Sequence, residues 1–260
     1  MTAFIDKSND PSYLSGYLTP VINEVNEKVV KVAKFVKNIE SCFRHIQSTR
    51  LEYLKKQFIY LEEIEKKDIE SAFNDDDQLW LNVIADTKNK LKSAYDTSSS
   101  LFPGNCYNQI AALPEQFLSI RSELFQPVSM PAPRNNDMLS KQREYRCNLL
   151  ALNSLLKRLK LLCFDTHNMI TTFSEGIITL LDKVEQILEQ LRDLVVREQQ
   201  LNFDFQKKHP DIEPPPKEVI KALDEKRMQL ELDMAFLKLE KENFQSISIN
   251  ILRLVRHCIN

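Results

Sequence analysis

One apolar repeat constrains the fold of this chain more than any other feature. Over residues 149–205, apolar residues recur at alternating steps of three and four, with Thr166 and Glu198 as the only polar members of the series. Such spacing places side chains on one face of an α-helix, so it predicts one long helix with a continuous seam. Additional apolar residues widen this stripe and predict that more than one helix packs on it. They are Leu150, Leu155, Leu162, Ile178, Leu181, Leu188 and Val195.

Two further series predict two more long helices. The first runs through Ile22, Val25, Val29, Val32, Val36, Ile39, Phe43 and Ile46. Thr19 is the predicted N-cap of this helix and Pro20 its first helical residue, because proline is tolerated at that position. The second series follows three consecutive prolines at 214–216 and extends to Cys258. A proline corner before it predicts that this helix runs antiparallel to the preceding one.

The fold predicted from these patterns is all-α: an elongated antiparallel bundle of three long coiled-coil-like helices with a proline-marked connecting loop. The helix over residues 138–208 would be on the order of 100 Å long. The predicted parts are a short N-terminal segment (1–18), a first helical arm with a break near 74–77 (19–97), a proline-marked connector with one short helix over 114–125 (98–136), and a long helical hairpin (137–260).

Composition excludes several classes of function. The chain has only three glycines, and they are scattered singly, so no glycine-rich phosphate-binding loop can be formed. A net charge of -2 gives no overall attraction to nucleic acid, and specific nucleic-acid binding is not expected. The five cysteines form no close pair, and no signal peptide or 18-residue apolar run is evident, which predicts a cytoplasmic protein, with association to the cytoskeleton as one option.

No set of residues has the spacing of a catalytic or metal site. Cys42 and His45 lie three residues apart on one helical face, but a closed zinc site needs four ligands and no second pair complements them. Asp165 and His167 are too close in a helix to face the same way. The sequence therefore predicts no enzyme, no cofactor, no metal site and no small-molecule substrate.

A row of lysines offers a candidate basic surface. Lys28, Lys31, Lys34 and Lys37 recur every third residue, and a helix displaying them could lie along a microtubule or an anionic membrane. The alternative is that these lysines are simply the solvated face of an amphipathic helix, with Glu24 and Glu27 partly neutralising them.

The predicted function is that of a non-catalytic coiled-coil subunit or scaffold of an intracellular multiprotein complex. Cytoskeletal complexes of the microtubule, spindle or kinetochore type are the leading option, on the basis of architecture alone. The expected partners are other coiled-coil proteins, in a hetero-oligomer or a homodimer. The seam residues predicted to bind them are Leu180, Val184, Ile187, Leu191 and Leu194.

Two alternatives remain open at the level of the sequence. One is a BAR-like membrane-binding dimer, which is also built from three long helices. Near-neutral charge and the lack of a lysine-dense helix tip weaken it. The other is a coiled-coil effector that mimics a host protein.

Overall fold

The computed structural model describes residues 11–66, 77–100, 104–124 and 137–259, which are 96% helical and contain no strand. The five helices are α1 (Pro11–Lys66), α2 (Asp77–Ser100), α3 (Gly104–Leu124), α4 (Asp137–Lys208) and α5 (Lys217–Ile259). The prediction of an all-α protein is therefore confirmed.

The extents of the last two helices follow the sequence closely. Helix α4 spans 72 residues and matches the long helix predicted over 138–208, and α5 begins directly after the three prolines. The first helix differs, because α1 starts at Pro11 and Pro20 lies inside it. The prediction that Thr19 caps this helix was wrong. Both Pro11 and Pro20 could be the first residue of a helix, because proline is favoured at that position. The apolar pattern alone does not decide at which of the two the helix begins. The predicted break near 74–77 falls on 74–76, outside the described residues, and on Asp77, where α2 begins.

The predicted connector contains much more helix than expected. Helix α3 begins at Gly104, ten residues before the predicted start, and Pro114 is buried within it. Proline inside a helix removes one backbone hydrogen bond, so the sequence alone favours Pro114 as the start of a helix. Packing compensates for that loss, because one face of α3 is buried. The buried apolar residues, spaced by three and four, are Ile110, Leu113, Phe117, Ile120 and Leu124.

The chain divides into two compact units, and the described residues of each form four helical segments. Unit 1 comprises Met1–Ser41, Gly104–Thr172 and Ile247–Asn260, and unit 2 comprises Cys42–Pro103 and Phe173–Ser246. Helices α1, α4 and α5 each contribute a segment to both units, while α3 belongs to unit 1 and α2 to unit 2. The prediction of a three-helix bundle is not confirmed. It placed the residues of α2 in the first helical arm, after the break, and most of α3 in a short helix of the connector, whereas each of these helices packs as a fourth segment of a unit.

Three phenylalanines join three helices in the core of unit 2. The ring of Phe43 on α1 lies 5.6 Å from that of Phe173 on α4 and 5.5 Å from that of Phe244 on α5. Tilted rings at this separation bury a large apolar area and make favourable aromatic contacts. Further along, Lys226 Nζ of α5 donates a hydrogen bond to Gln57 Oε1 of α1 at 3.1 Å. Residue numbers thus rise along α1 as they fall along α5, so the two helices are antiparallel.

In unit 2, helix α4 contacts α5 and α2 as well as α1. Gln199 Nε2 donates to Asp224 Oδ1 of α5 at 2.8 Å, and Lys241 of α5 pairs with Asp182, so α4 and α5 are antiparallel in this unit. Lys183 Nζ donates to Thr97 Oγ1 of α2 at 2.9 Å. The wide apolar stripe of α4 is thus covered from several sides, and Leu181, Leu188 and Val195 in that stripe are fully buried.

Polar contacts and a pair of thiols connect the helices of unit 1. Arg121 Nε of α3 donates to Asn26 Oδ1 of α1 at 2.8 Å, and Arg158 of α4 pairs with Glu123 of α3 at 2.6 Å. The buried thiol of Cys163 on α4 neighbours that of Cys258 on α5. The Cys258 thiol and burial together raise the pKa of Cys163.

The thiol pair gives a direct test of helix pairing in unit 1. Diamide is expected to oxidise Cys163 and Cys258 to an intramolecular disulfide: each thiol loses one hydrogen atom, an S–S bond forms, and diamide is reduced to its hydrazine. Peptide mass spectrometry should detect the linked peptides in the native chain and in the control Cys147→Ser, but not in Cys163→Ser. Linkage of Cys163 or Cys258 to a different cysteine of the same folded chain would contradict the pairing of α4 with α5.

Candidate interaction surfaces

The five seam residues predicted to bind a partner lie in the core of unit 2. Leu180, Val184, Ile187 and Leu191 are 0% exposed, and Leu194 is 1% exposed. Helices of the chain itself cover them, so a partner could reach them only after the unit opens. Their role in partner binding stays a prediction. In the folded chain, the surfaces available to a partner lie on the outer faces of the helices.

The lysine row on α1 is not a straight strip. Lys31, Lys34 and Lys37 are exposed, whereas Lys28 is half-buried and forms an ion pair with Glu24 at 2.9 Å. That hydrogen bond raises the pKa of Lys28 and lowers that of Glu24. Three-residue steps rotate by about 60° each on a helix, so the four side chains are spread over about 180° of α1. Together they resemble the solvated face of an amphipathic helix more than a continuous basic track.

The pair Cys42 and His45 does not gather further metal ligands. Burial raises the pKa of the Cys42 thiol, and His45 Nε2 lies 3.7 Å from Glu240 Oε1. Among the residues that the structure describes, no group of three or more His, Cys, Asp or Glu side chains could hold a metal ion.

A surface that the sequence interpretation missed lies on α4 in unit 1. Leu150, Leu161 and Phe164 are 68%, 67% and 55% exposed. Leu150 and Leu161 are eleven residues apart, about three helical turns, so they lie on the same side of the helix, with Phe164 next to Leu161. We call these three residues the α4 row. The prediction that Leu150 widens the buried stripe was wrong, because the stripe of α4 is narrower in this unit.

Basic side chains surround the α4 row. Arg143, Arg146, Lys157 and Lys160 are all exposed on or beside the same face of the helix. Lys157 lies between Leu150 and Leu161 in this row, seven residues after the first and four before the second. The exposed Asp165 lies beside Leu161 on the other border, so the surroundings of the row are mainly but not wholly basic. Apolar side chains flanked mainly by one sign of charge form a surface suited to a partner with apolar residues and the opposite charge. The signal was present in the sequence, but the continuous seam on the other face of the helix dominated the pattern.

Comparisons with known proteins do not identify a relative of this chain. No family model, no curated protein and no solved structure matches it. None of the helices in the described ranges combines the length and apolar content needed to cross a membrane.

Proposed function

We propose that this chain is a non-catalytic helical subunit or scaffold of a multiprotein complex. The observation that carries the proposal is the α4 row, where three large apolar side chains are each more than half exposed on one helix face. Isolated exposed leucines are ordinary, but a lengthwise row of apolar residues bordered by charge is typical of a site for another helix. The helices of the chain itself cover the apolar seam of α4, so the partner proposed for the α4 row is another molecule.

The proposed partner is an amphipathic helix with an acidic border. Its apolar residues would pack against Leu161 and Phe164, and its carboxylates would face Lys157 and Lys160. Ion pairs at the border of a helix pair contribute little free energy but favour one partner and one orientation over others. Binding by this surface should therefore weaken at high salt without being abolished.

The variant Leu161→Asp tests this proposal. It is expected to remove the partner, because a carboxylate would replace the centre of the apolar row, while leaving the fold intact because the site is exposed. The chain should be isolated with its stoichiometric partners and treated with an amine-reactive cross-linker. Cross-links from Lys157 and Lys160 to a second protein are expected in the native chain and should disappear in the variant.

The matched control is Leu118→Asp, which changes an exposed leucine (44%) on α3 of the same unit. It should retain both the partner and the cross-links. Partners that Leu161→Asp retains, with no cross-link at either lysine, would refute the proposal. Salt-sensitive pelleting with anionic vesicles that Leu161→Asp abolishes would instead favour a membrane-binding module.

The finer predictions remain untested proposals. The elongated, coiled-coil-like form can be tested by sedimentation velocity, and the cytoskeletal class by the identity of the partner. The four helical segments in each unit differ from the three-helix architecture on which the BAR-like alternative was based. Mimicry of a host coiled coil is tested by the same partner identification.

A further inference from the structure

Helix α5 carries a second exposed apolar row, in unit 2. Met228, Leu232, Phe236 and Leu239 are 60%, 52%, 63% and 56% exposed, and Ala235 between them is exposed as well. We call these five residues the α5 row. With about 100° of rotation per residue, they fall within about 100° of the helix circumference. The buried side chains of the same segment lie on the opposite side of the helix, and they include Leu223, Leu230, Leu237 and Phe244. Helix α5 therefore has two apolar faces, and the chain covers only one of them.

Four charged residues line one border of the α5 row in a particular order. Arg227, Glu231, Lys238 and Glu242 fall on one side of the row, within about 60° of one another around the helix. In the part of the chain that the structure describes, none of the four forms an ion pair, and three of them are exposed while Arg227 is half-buried. The opposite border carries Gln229 and Asn243 beside the row, and the carboxylates of Asp233 and Glu240 further around the helix. Those two carboxylates have partners within the chain, since Asp233 accepts a hydrogen bond from Gln229 and Glu240 pairs with Arg50 of α1.

The order of these charges is self-complementary. Glu231 and Lys238 are equidistant from the peptide bond between residues 234 and 235, and Arg227 and Glu242 are also equidistant from it. A two-fold axis through that point would place Glu231 opposite Lys238 and Arg227 opposite Glu242, each pair twice. The same axis would pack the α5 row of one copy against the α5 row of the other.

We propose that a second copy of this chain covers the α5 row, with the two α5 helices antiparallel about a two-fold axis. Interfaces of this kind use the same patch on both subunits, so the patch has to be complementary to itself. The apolar row meets this condition because the row of one copy packs against the same row of the other. The charged border meets it because the two-fold axis brings each acidic residue of one copy next to a basic residue of the other. A partner of different sequence would not require this symmetry. The pairing goes beyond the proposed scaffold function and uses a different surface.

Sedimentation equilibrium of the full chain across a concentration series tests the pairing. The native chain is expected to be a dimer, and Leu232→Asp is expected to raise the dissociation constant by more than about a hundredfold, because it places a carboxylate at the centre of the apolar row. The control Leu81→Asp changes an exposed leucine (40%) on α2 of the same unit and should remain dimeric. A native chain that stays monomeric up to roughly 100 µM would overturn the proposal.

Charge reversal tests the arrangement of the border. Glu231→Lys would place residue 231 of one copy, now a lysine, opposite Lys238 of the other, on both sides of the two-fold axis. We expect the dissociation constant to rise about tenfold. Adding Lys238→Glu to the same chain restores opposite charges and should return the dissociation constant to the native value. A double variant that binds as weakly as Glu231→Lys, or weaker, would exclude the antiparallel register.

Disulfide trapping distinguishes antiparallel from parallel pairing. Ala235→Cys lies next to the proposed axis and should form an intermolecular disulfide with its own copy on oxidation. Met228→Cys lies away from the axis and should not, whereas it would do so in a parallel pair. Mass spectrometry of the linked peptides separates these products from those of the native cysteines. Efficient linkage through Met228→Cys would refute the proposal. A native chain that is dimeric but binds no partner through the α4 row would refute only the proposed function. A native chain that binds such a partner but is monomeric would refute only the pairing.

Discussion

Ile187→Asp is expected to unfold unit 2. The side chain is 0% exposed, and the residues one turn before and after it in the seam, Val184 and Leu191, are also fully buried. A carboxylate there would lie in an apolar core without a partner, which costs on the order of 4 kcal/mol or more and is a large part of the stability of a single domain. Trp80, the only tryptophan of the chain, is buried in unit 2 and reports its unfolding by fluorescence.

The control for this change is Val196→Asp, on the same helix but 44% exposed. Its effect on the urea midpoint of the Trp80 signal should be within about 0.5 kcal/mol of unfolding free energy. If Ile187→Asp leaves the midpoint unchanged, the seam of α4 is not the core of this unit. In that case the seam would again be available as the partner-binding surface predicted from the sequence.

Glu240→Leu should destabilise unit 2 by about 3 kcal/mol, because it removes the partner of a buried charge. The Arg50 side chain is 9% exposed and pairs with Glu240, whose side chain is 18% exposed. Removing the carboxylate would leave the buried guanidinium without this anionic partner, and among the described residues only the Tyr53 ring, 5.9 Å from Arg50 Cζ, would face the charge. Adding Arg50→Met removes that charge too, and the double variant should recover most of the loss because an apolar pair fits the same place. Urea unfolding followed by Trp80 fluorescence measures both effects.

An exposed ion pair provides the comparison for this experiment. Arg158 and Glu123 in unit 1 have side chains that are 50% and 39% exposed, so Glu123→Gln should cost less than about 1 kcal/mol, measured by circular dichroism. A loss for Glu240→Leu no larger than this, or a double variant as unstable as Glu240→Leu alone, would contradict the burial of the Arg50 charge.

Much of the fold could be predicted from the sequence. The three long helices and the ends of α4 and α5 followed from apolar spacing and from the prolines at 214–216, because both are local properties of the chain. Helix α3 shows where local rules failed. Its apolar spacing is present in the sequence, but the rule that proline starts a helix places its beginning at Pro114. Burial of one face in the core of unit 1 stabilises the helix on both sides of that proline.

The candidate surfaces were harder to predict, for a physical reason. Periodicity shows that a helix has an apolar face, but it does not show whether that face is covered by the same chain. The seam at Ile187 and the row at Leu232 both satisfy helical spacing, yet the first is fully buried and the second is 52% exposed. By itself, the sequence determined that the chain is helical and where its longest helices run, since these depend on neighbours along the chain. Only the tertiary structure decided which apolar faces lie inside, because burial depends on residues far away in sequence.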